Sequence, residues 1–329
     1  VTHTITAKAI RIHQHGGPEV LRWEDVEVPA PGPNEVRLTT TAAGLNYIDT
    51  YHRTGMYKVA VPSVIGREGA GVVESVGSAV ADFKAGDRVA YASSPIGSYA
   101  EVRLMPAERL VKIPGGVTDQ QAASMMLKGM TAQYLVRRTF RVKAGDIVLN
   151  QAAAGGVGLI LGQWAKHLGA TVIGTVGSDE KVALAKANGC DHVINYRTED
   201  FQKRVLDITE GRKCHVVYDG VGNDTFMKSL DCLAPLGMMV SFGAASGAVA
   251  PFYTGELAAK GSLYLTRPTL DTYVAKREDL VATANDLFDV VSRGIVKVSV
   301  NQTYALRDAA QAHRDLEARK TTGSTVLLP

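Results

Sequence analysis

The run Ala153-Ala-Gly155-Gly156-Val157-Gly158 is the first place where residue type and spacing point to chemistry. It follows the spacing G-x-G-x-x-G, with Ala153 in the first glycine's place. Small residues there allow a tight turn and let the backbone come within contact of an anion. A helix beginning at that turn adds unsatisfied N–H groups and a partial positive charge. The pyrophosphate of a dinucleotide fits this chemistry, with Gly155, Gly156 and Val157 as candidate contacts. A glycine-rich turn that only packs helix on sheet is the other use of the same residues.

A site for NAD carries an Asp or Glu about 20 residues further on, at the end of the second strand, to hold the ribose hydroxyls. Here that strand ends Gly174-Thr-Val-Gly177-Ser178 without a carboxylate, and Lys181 follows one helical turn later. The missing carboxylate removes repulsion toward a 2′-phosphate, and the lysine adds attraction. The pattern predicts NADPH as the cofactor. The competing reading puts Asp179 or Glu180 on the ribose and leaves Lys181 in solvent.

The elements that must position these residues fall into three stretches. Up to about residue 124, short extended runs alternate with Gly/Pro turns: 7–15, 35–41, 69–76, 88–91 and two strands within 101–113. This texture predicts a small barrel-like β domain. Thr118-Asp-Gln-Gln121 has capping-box spacing and opens a helix that can run to Thr139. From Asp146 strands and helices alternate: strands at 147–151, 170–175, 192–195, 214–219 and 238–242, helices at 157–168, 179–188, 199–210 and 224–233. Thr198 is the expected cap of the third helix. Such alternation builds a parallel sheet. The last stretch predicts strands at 262–267, 296–300 and 324–328 and helices at 278–293 and 306–319. The fold class is therefore α/β: a Rossmann-type doubly wound parallel sheet beside a β-rich domain.

Composition bounds the partners. At ~150 residues per domain, 329 residues predict two domains. With 36 Lys and Arg against 33 Asp and Glu, the net charge of +3 is too small to argue for a nucleic-acid or membrane partner. The cluster Arg137-Arg138 and Arg141-Val-Lys143 is expected to be a solvated face. No apolar run reaches the ~18 residues of a membrane-spanning helix, and residues 1–11 hold no signal-peptide core. Three cysteines, Cys190, Cys214 and Cys232, with no C-x-x-C pair, predict a reducing cytoplasm and no disulfide framework.

Taken in order along the whole chain, several short motifs carry a resemblance. They are His15-Gly-Gly-Pro-Glu-Val-Leu21, Gly44-Leu-Asn-Tyr-Ile-Asp-Thr-Tyr51, Gly66-Arg-Glu-Gly-Ala-Gly71, Lys84-Ala-Gly-Asp-Arg-Val89, Ala152-Ala-Ala-Gly-Gly-Val-Gly158, Gln163-Trp-Ala-Lys166, Val193-Ile-Asn-Tyr196 and Val217-Tyr-Asp219. The sequence resembles the zinc-independent medium-chain dehydrogenases/reductases, in particular the NADPH:quinone oxidoreductase (zeta-crystallin-like) family. The resemblance implies a GroES-like catalytic domain at 1–124, completed by 268–329, and a Rossmann NADPH-binding domain at 125–267. It also implies a homodimer joined near Ser262–Arg267.

Zinc-dependent relatives carry Cys where Asn46 stands and His where Arg67 stands. Zinc needs roughly three or four N, S or carboxylate ligands, so no metal site is expected. Without a Lewis acid the acceptor must take hydride readily by itself. A quinone meets that demand, and the double bond of an alkenal or enone is the alternative. The resemblance places Asn46, Asp49 and Tyr51 at the reacting groups. It assigns the cofactor to Asn46, Tyr47, Thr50, Thr131, Tyr134, Gly155, Gly156, Val157, Gly177, Ser178, Lys181, Tyr196, Phe242, Gly243, Ser246, Gly247, Leu265, Arg267 and Arg319. Tyr51 is expected to donate a proton or to orient the acceptor, and Asp49 to act in catalysis, as a cap or in an ion pair with Arg53.

Overall fold

The computed structural model describes residues 3–329. The chain divides into two compact units. The first holds the chain up to Leu127, with Val274–Phe288 and Val298–Pro329, and the second holds Lys128–Tyr273 with Asp289–Lys297.

The first unit opens with β1 (Ile5–Ile12) and β2 (Arg22–Val28), paired antiparallel. β3 (Glu35–Leu45) leads into helix α1 (Tyr47–Thr54), and β4 (Ser63–Val64) returns to the end of β1. β5 (Glu68–Val76), β6 (Arg88–Tyr91), β7 (Val102–Pro106) and β8 (Val111–Lys112) extend an antiparallel sheet around β3. Burial follows the sequence pattern: Ile10 and Ile12 of β1 join Leu45, Ile65, Tyr99 and Leu327 in one core, while Val36 and Leu38 of β3 join Val73, Val89, Tyr91 and Met105 in another. β2 lies outside the runs expected to be extended.

Helix α2 (Asp119–Tyr134) begins as its spacing predicts. Thr118 N donates to Gln121 Oε1 at 3.1 Å, and Gln121 N donates to Thr118 Oγ1 at 3.1 Å. Its continuation Leu135–Thr139 is wound as a π turn. The division between the units falls within α2.

The second unit is the alternating stretch. β9 (Ile147–Asn150), α3 (Gly156–His167), β10 (Thr171–Val176), α4 (Asp179–Ala187) and β11 (His192–Asn195) form its first half. The second half holds α5 (Phe201–Ile208), β12 (Cys214–Asp219), α6 (Phe226–Asp231), β13 (Leu233–Ser241), α7 (Gly255–Ala259), β14 (Tyr264–Thr266) and α8 (Leu270–Tyr273). All six strands are parallel, in the order β11-β10-β9-β12-β13-β14. All four residues of β9 are buried, as expected for a strand covered on both faces. The order reverses between β9 and β12, and ligands bind at such a switch point, outside the carboxyl ends of the strands.

The chain then adds α9 (Arg277–Ser292), β15 (Val300–Ala305), α10 (Ala309–Glu317) and β16 (Ser324–Leu328). β16 pairs antiparallel with β3 and parallel with β15. Three expectations change. The cap of α5 is Asp200 and not Thr198: its Oδ1 accepts from Gln202 N at 3.0 Å, and Thr198 donates to the Asn195 carbonyl instead. The strand expected at 296–300 starts only at Val300, because the Val296 N–H is spent closing α9 on the Val290 carbonyl at 3.0 Å. β13 starts at Leu233 and shortens the helix before it.

Candidate functional site

The glycine turn follows β9. Its left-handed residue is Ala152, with φ +59°, so the next position, Ala153, tolerates a side chain. The Ala153 methyl occupies room left by Gly174, where a Cβ would lie 2.7 Å from it. A Cβ at Gly158 would come within 2.3 Å of the Ala152 carbonyl oxygen, so α3 can approach the turn only through a glycine. Gly155, Gly156 and Val157 are half-buried at the start of α3, whose first turn has no acidic residue. This cradle fits an anionic dinucleotide.

A buried polar network stands behind the turn. Ala152 N donates to Thr175 Oγ1 at 3.3 Å, and Thr175 donates to Gln151 Oε1 at 2.5 Å. Gln151 Nε2 donates to Ser229 Oγ at 2.9 Å, and Ser229 donates to Asp219 Oδ2 at 3.1 Å. Burial raises the pKa of Asp219 against the pull of Thr225, Ser229 and the N–H groups of Val221 and Gly222. These partners connect the ends of β9, β10 and β12 directly behind the switch point.

The second strand of the motif, β10, is followed by Gly177 and Ser178, and Lys181 lies half-buried in the first turn of α4. A Cβ at Gly177 would lie 2.6 Å from Tyr196 Oη, which brings Tyr196 over the same corner. Asp179 Oδ1 accepts from Asn195 Nδ2 at 2.8 Å, so a protein amide holds this carboxylate. Gly155–Val157, Gly177–Lys181 and Tyr196 thus lie beyond the ends of neighbouring strands.

The remaining expected residues of this unit divide into three groups. Phe242, Gly243, Ser246 and Gly247 form the turn after β13, packed on the turn after β12. A Cβ at Gly243 would lie 2.4 Å from the Gly220 carbonyl oxygen. Ser246 Oγ donates to the Val221 carbonyl at 2.8 Å and accepts from Asp224 N at 3.0 Å, so the loop itself engages this hydroxyl. Thr131 and Tyr134 are buried in α2, and Tyr134 stacks on Tyr273 at 4.2 Å with ring planes 9° apart. Leu265 is exposed on the edge strand β14, and Arg267 just beyond it is also exposed.

In the first unit Asn46 is the residue before α1. Its N–H donates to Asp49 Oδ2 at 2.9 Å, one arm of a capping box. Its Nδ2 donates to Glu68 Oε2 at 2.8 Å and, more distantly, to the Gly44 carbonyl at 3.4 Å. A carboxylate beside the amide requires the nitrogen on that side, so Oδ1 is the atom that the side chain can offer to a ligand. Glu68 Oε1 accepts from Leu127 N at 2.8 Å. Thr50 turns its hydroxyl back to the Tyr47 carbonyl at 2.7 Å. Tyr51 packs edge-on against Tyr57 at 5.2 Å and lies 6.2 Å from Tyr47. Arg319 is exposed beyond α10, with φ +59°.

Tyr57 and the bonding of Glu68 to Asn46 were not foreseen. The signal for Tyr57 was its place six residues beyond Tyr51, in a stretch dense in tyrosine. Arg53 forms a two-pronged pair with Glu317 through Nη1 at 3.1 Å and Nη2 at 2.6 Å.

Among the described residues no group of three His, Cys, Asp or Glu side chains could hold a metal ion. None of the helices searched there is long and apolar enough to cross a membrane. Cys190, Cys214 and Cys232 are free and buried, and burial pushes the Cys190 thiol up to about 12.

Comparison with known proteins agrees with this geometry. The family model "Alcohol dehydrogenase GroES-like domain" matches residues 32–115, and the model "Zinc-binding dehydrogenase" matches residues 156–279. The chain is 53% identical over 324 residues to a quinone oxidoreductase of Pseudomonas aeruginosa, covering 98% of this chain and 100% of that one. It is 50% identical over 325 residues to a 2-haloacrylate reductase of a Burkholderia species, covering 97% and 98%. A crystal structure of Escherichia coli quinone oxidoreductase complexed with NADPH matches with a TM-score of 0.96 at 48% identity, covering 98% and 100% of the two chains. The chain belongs to the quinone oxidoreductase family of the medium-chain dehydrogenases/reductases.

Proposed function

We propose that the protein is an NADPH-dependent quinone reductase that transfers hydride without a metal. The observation that carries this reading is the donor set around Asn46. Where zinc-dependent relatives carry Cys and His, this chain has an amide and a guanidinium, Asn46 and Arg67. The neighbouring carboxylate, Glu68, accepts hydrogen bonds from Asn46 and from the Leu127 backbone. The quinone oxidoreductase relatives support the same acceptor class.

We read 1–124 with 268–329 as the catalytic domain and 125–267 as the NADPH-binding domain. Gly155, Gly156 and Val157 hold the pyrophosphate. Gly177, Ser178 and Lys181 hold the 2′-phosphate, and Tyr196 lies beside the adenine ribose. Thr131, Tyr134, the turn Phe242–Gly247, Leu265, Arg267 and Arg319 complete the cofactor contacts, with Asn46, Tyr47 and Thr50. NADPH supplies the hydride. Tyr51 presents its hydroxyl to the acceptor oxygen as charge develops there. Asn46 offers Oδ1 to a donor on its ligand, and Asp49 holds Asn46. The aromatic side chains of Tyr47, Tyr51 and Tyr57 give a flat conjugated acceptor surfaces to pack against.

The exposed side chains of Tyr264 and Leu265, on an edge strand, support a homodimer formed along β14. Three buried free thiols support a cytoplasmic enzyme.

A second reading is reduction of an activated carbon–carbon double bond, favoured by the similarity to the 2-haloacrylate reductase. Steady-state oxidation of NADPH by 1,4-naphthoquinone, by a 2-alkenal and by 2-chloroacrylate separates the two. The proposal expects kcat/KM for the quinone to exceed the others by at least roughly tenfold, about 1.4 kcal/mol in the transition state. A higher kcat/KM for either alkene reverses the assignment.

A further inference from the structure

A buried chain of hydrogen bonds runs from Arg53 by way of His313 in α10 to Asn46, and its middle members, His313 and Tyr99, enter no step above. It begins at Arg53, 1% exposed in α1, whose Nη1 lies 3.0 Å from His313 Nδ1. His313 Nε2 lies 3.2 Å from Tyr99 Oη. Tyr99 Oη donates to Asp49 Oδ2 at 2.9 Å. The same oxygen of Asp49 accepts the Asn46 N–H at 2.9 Å. His313, Tyr99 and Asp49 are each 0% exposed.

The chemistry gives this chain one direction. Arg53 has only donors and stays charged, so His313 Nδ1 is the acceptor. The single ring proton is then on Nε2 and points to Tyr99, whose own proton goes to Asp49. Burial and the adjacent Arg53 charge lower the His313 pKa to about 3, which keeps the ring neutral with one proton. Burial, then the Asp49 charge and its hydrogen bond, raise Tyr99 well above an ordinary tyrosine, so the phenol keeps its proton. Each member donates to the next, and the sequence ends on the carboxylate that holds the Asn46 backbone. A helix of eight residues such as α1 has little stability of its own, so its first turn depends on such anchoring.

We infer that Tyr99 and His313 are positioning residues of the reduction: together with Arg53 they lock Asp49, and through it they fix the place of Asn46. This rests on the role proposed for Asn46. The chain couples α1 to the C-terminal helix α10, across 260 residues of sequence between Arg53 and His313.

A double-mutant cycle on the full-length enzyme tests it, with NADPH and 1,4-naphthoquinone. Loss of one hydrogen bond to a buried carboxylate predicts that Tyr99→Phe lowers kcat roughly 5–20-fold, with KM for NADPH within about twofold. In an Asn46→Ala background the same change is expected to lower kcat by less than about twofold, because its target is gone. The same cycle run with His313→Leu serves if Tyr99→Phe fails to fold, and His313→Gln, which keeps an acceptor and a donor, is expected to restore most of kcat. Equal losses in both backgrounds, or no loss from Tyr99→Phe beside a slow Asn46→Ala enzyme, overturn the inference alone. An Asn46→Ala enzyme as fast as the parent overturns the role of Asn46 and the inference with it.

Discussion

A 2′-phosphate needs a cation beside it and no carboxylate facing it. In the proposed site Lys181 would supply the first, and the bond from Asn195 holds the carboxylate of Asp179. Reversing the charge at Lys181 removes an attraction and adds a repulsion. Lys181 is half-exposed, so solvent screening reduces the effect to about 1.4–2.8 kcal/mol. Lys181→Glu is therefore expected to raise KM for NADPH roughly 10–100-fold and to change KM for NADH by less than about threefold. Steady-state titration with each cofactor measures both, and equal losses would remove the phosphate from this corner. Residues of this kind were legible in the sequence, because a strand, a turn and a helix follow one another and spacing alone brings Gly155, Gly177 and Lys181 to one end of the sheet. The Ala153 methyl against Gly174 was not legible, since it depends on which strand lies next to which. The link from Tyr99 and His313 to Asp49 was also hidden, because its members come from distant segments and Tyr99 and His313 look like ordinary core residues.

At the scale of elements, helix starts with a local signal were readable. Thr118 and Gln121 make the box that their spacing announces. At α5 the expected cap was Thr198, and the carboxylate of Asp200, which accepts two backbone N–H groups, takes its place. Val296 read as strand by its β-branched neighbours, yet its N–H closes α9. The edge strand β14 carries the prediction at this scale. Tyr264 is 59% exposed and Leu265 38% exposed, on a strand whose outer edge has no partner strand among the described residues. A paired lysine and aspartate placed on such an edge oppose strand-to-strand association. If the proposed dimer forms along β14, Tyr264→Lys with Leu265→Asp is expected to turn it to monomer in sedimentation velocity while far-UV circular dichroism stays unchanged. A variant that sediments like its parent would move the dimer contact away from β14.

For the whole molecule, the fold and the chemistry point the same way. The second unit is a six-stranded parallel sheet with its glycine turn at the switch point, built to hold a dinucleotide. The first unit surrounds Asn46 with an amide–carboxylate network in which Glu68 and Asp49 each accept hydrogen bonds from protein donors. The proposed function is reduction of a quinone without a metal. Dialysis of the full-length enzyme against a strong chelator, followed by elemental analysis and the rate of NADPH oxidation by 1,4-naphthoquinone, decides whether a metal takes part. An unchanged kcat is expected, with less than about 0.05 metal ions per chain, because the replaced ligand positions leave no site of adequate coordination. Loss of activity on dialysis, restored by added zinc, would contradict it.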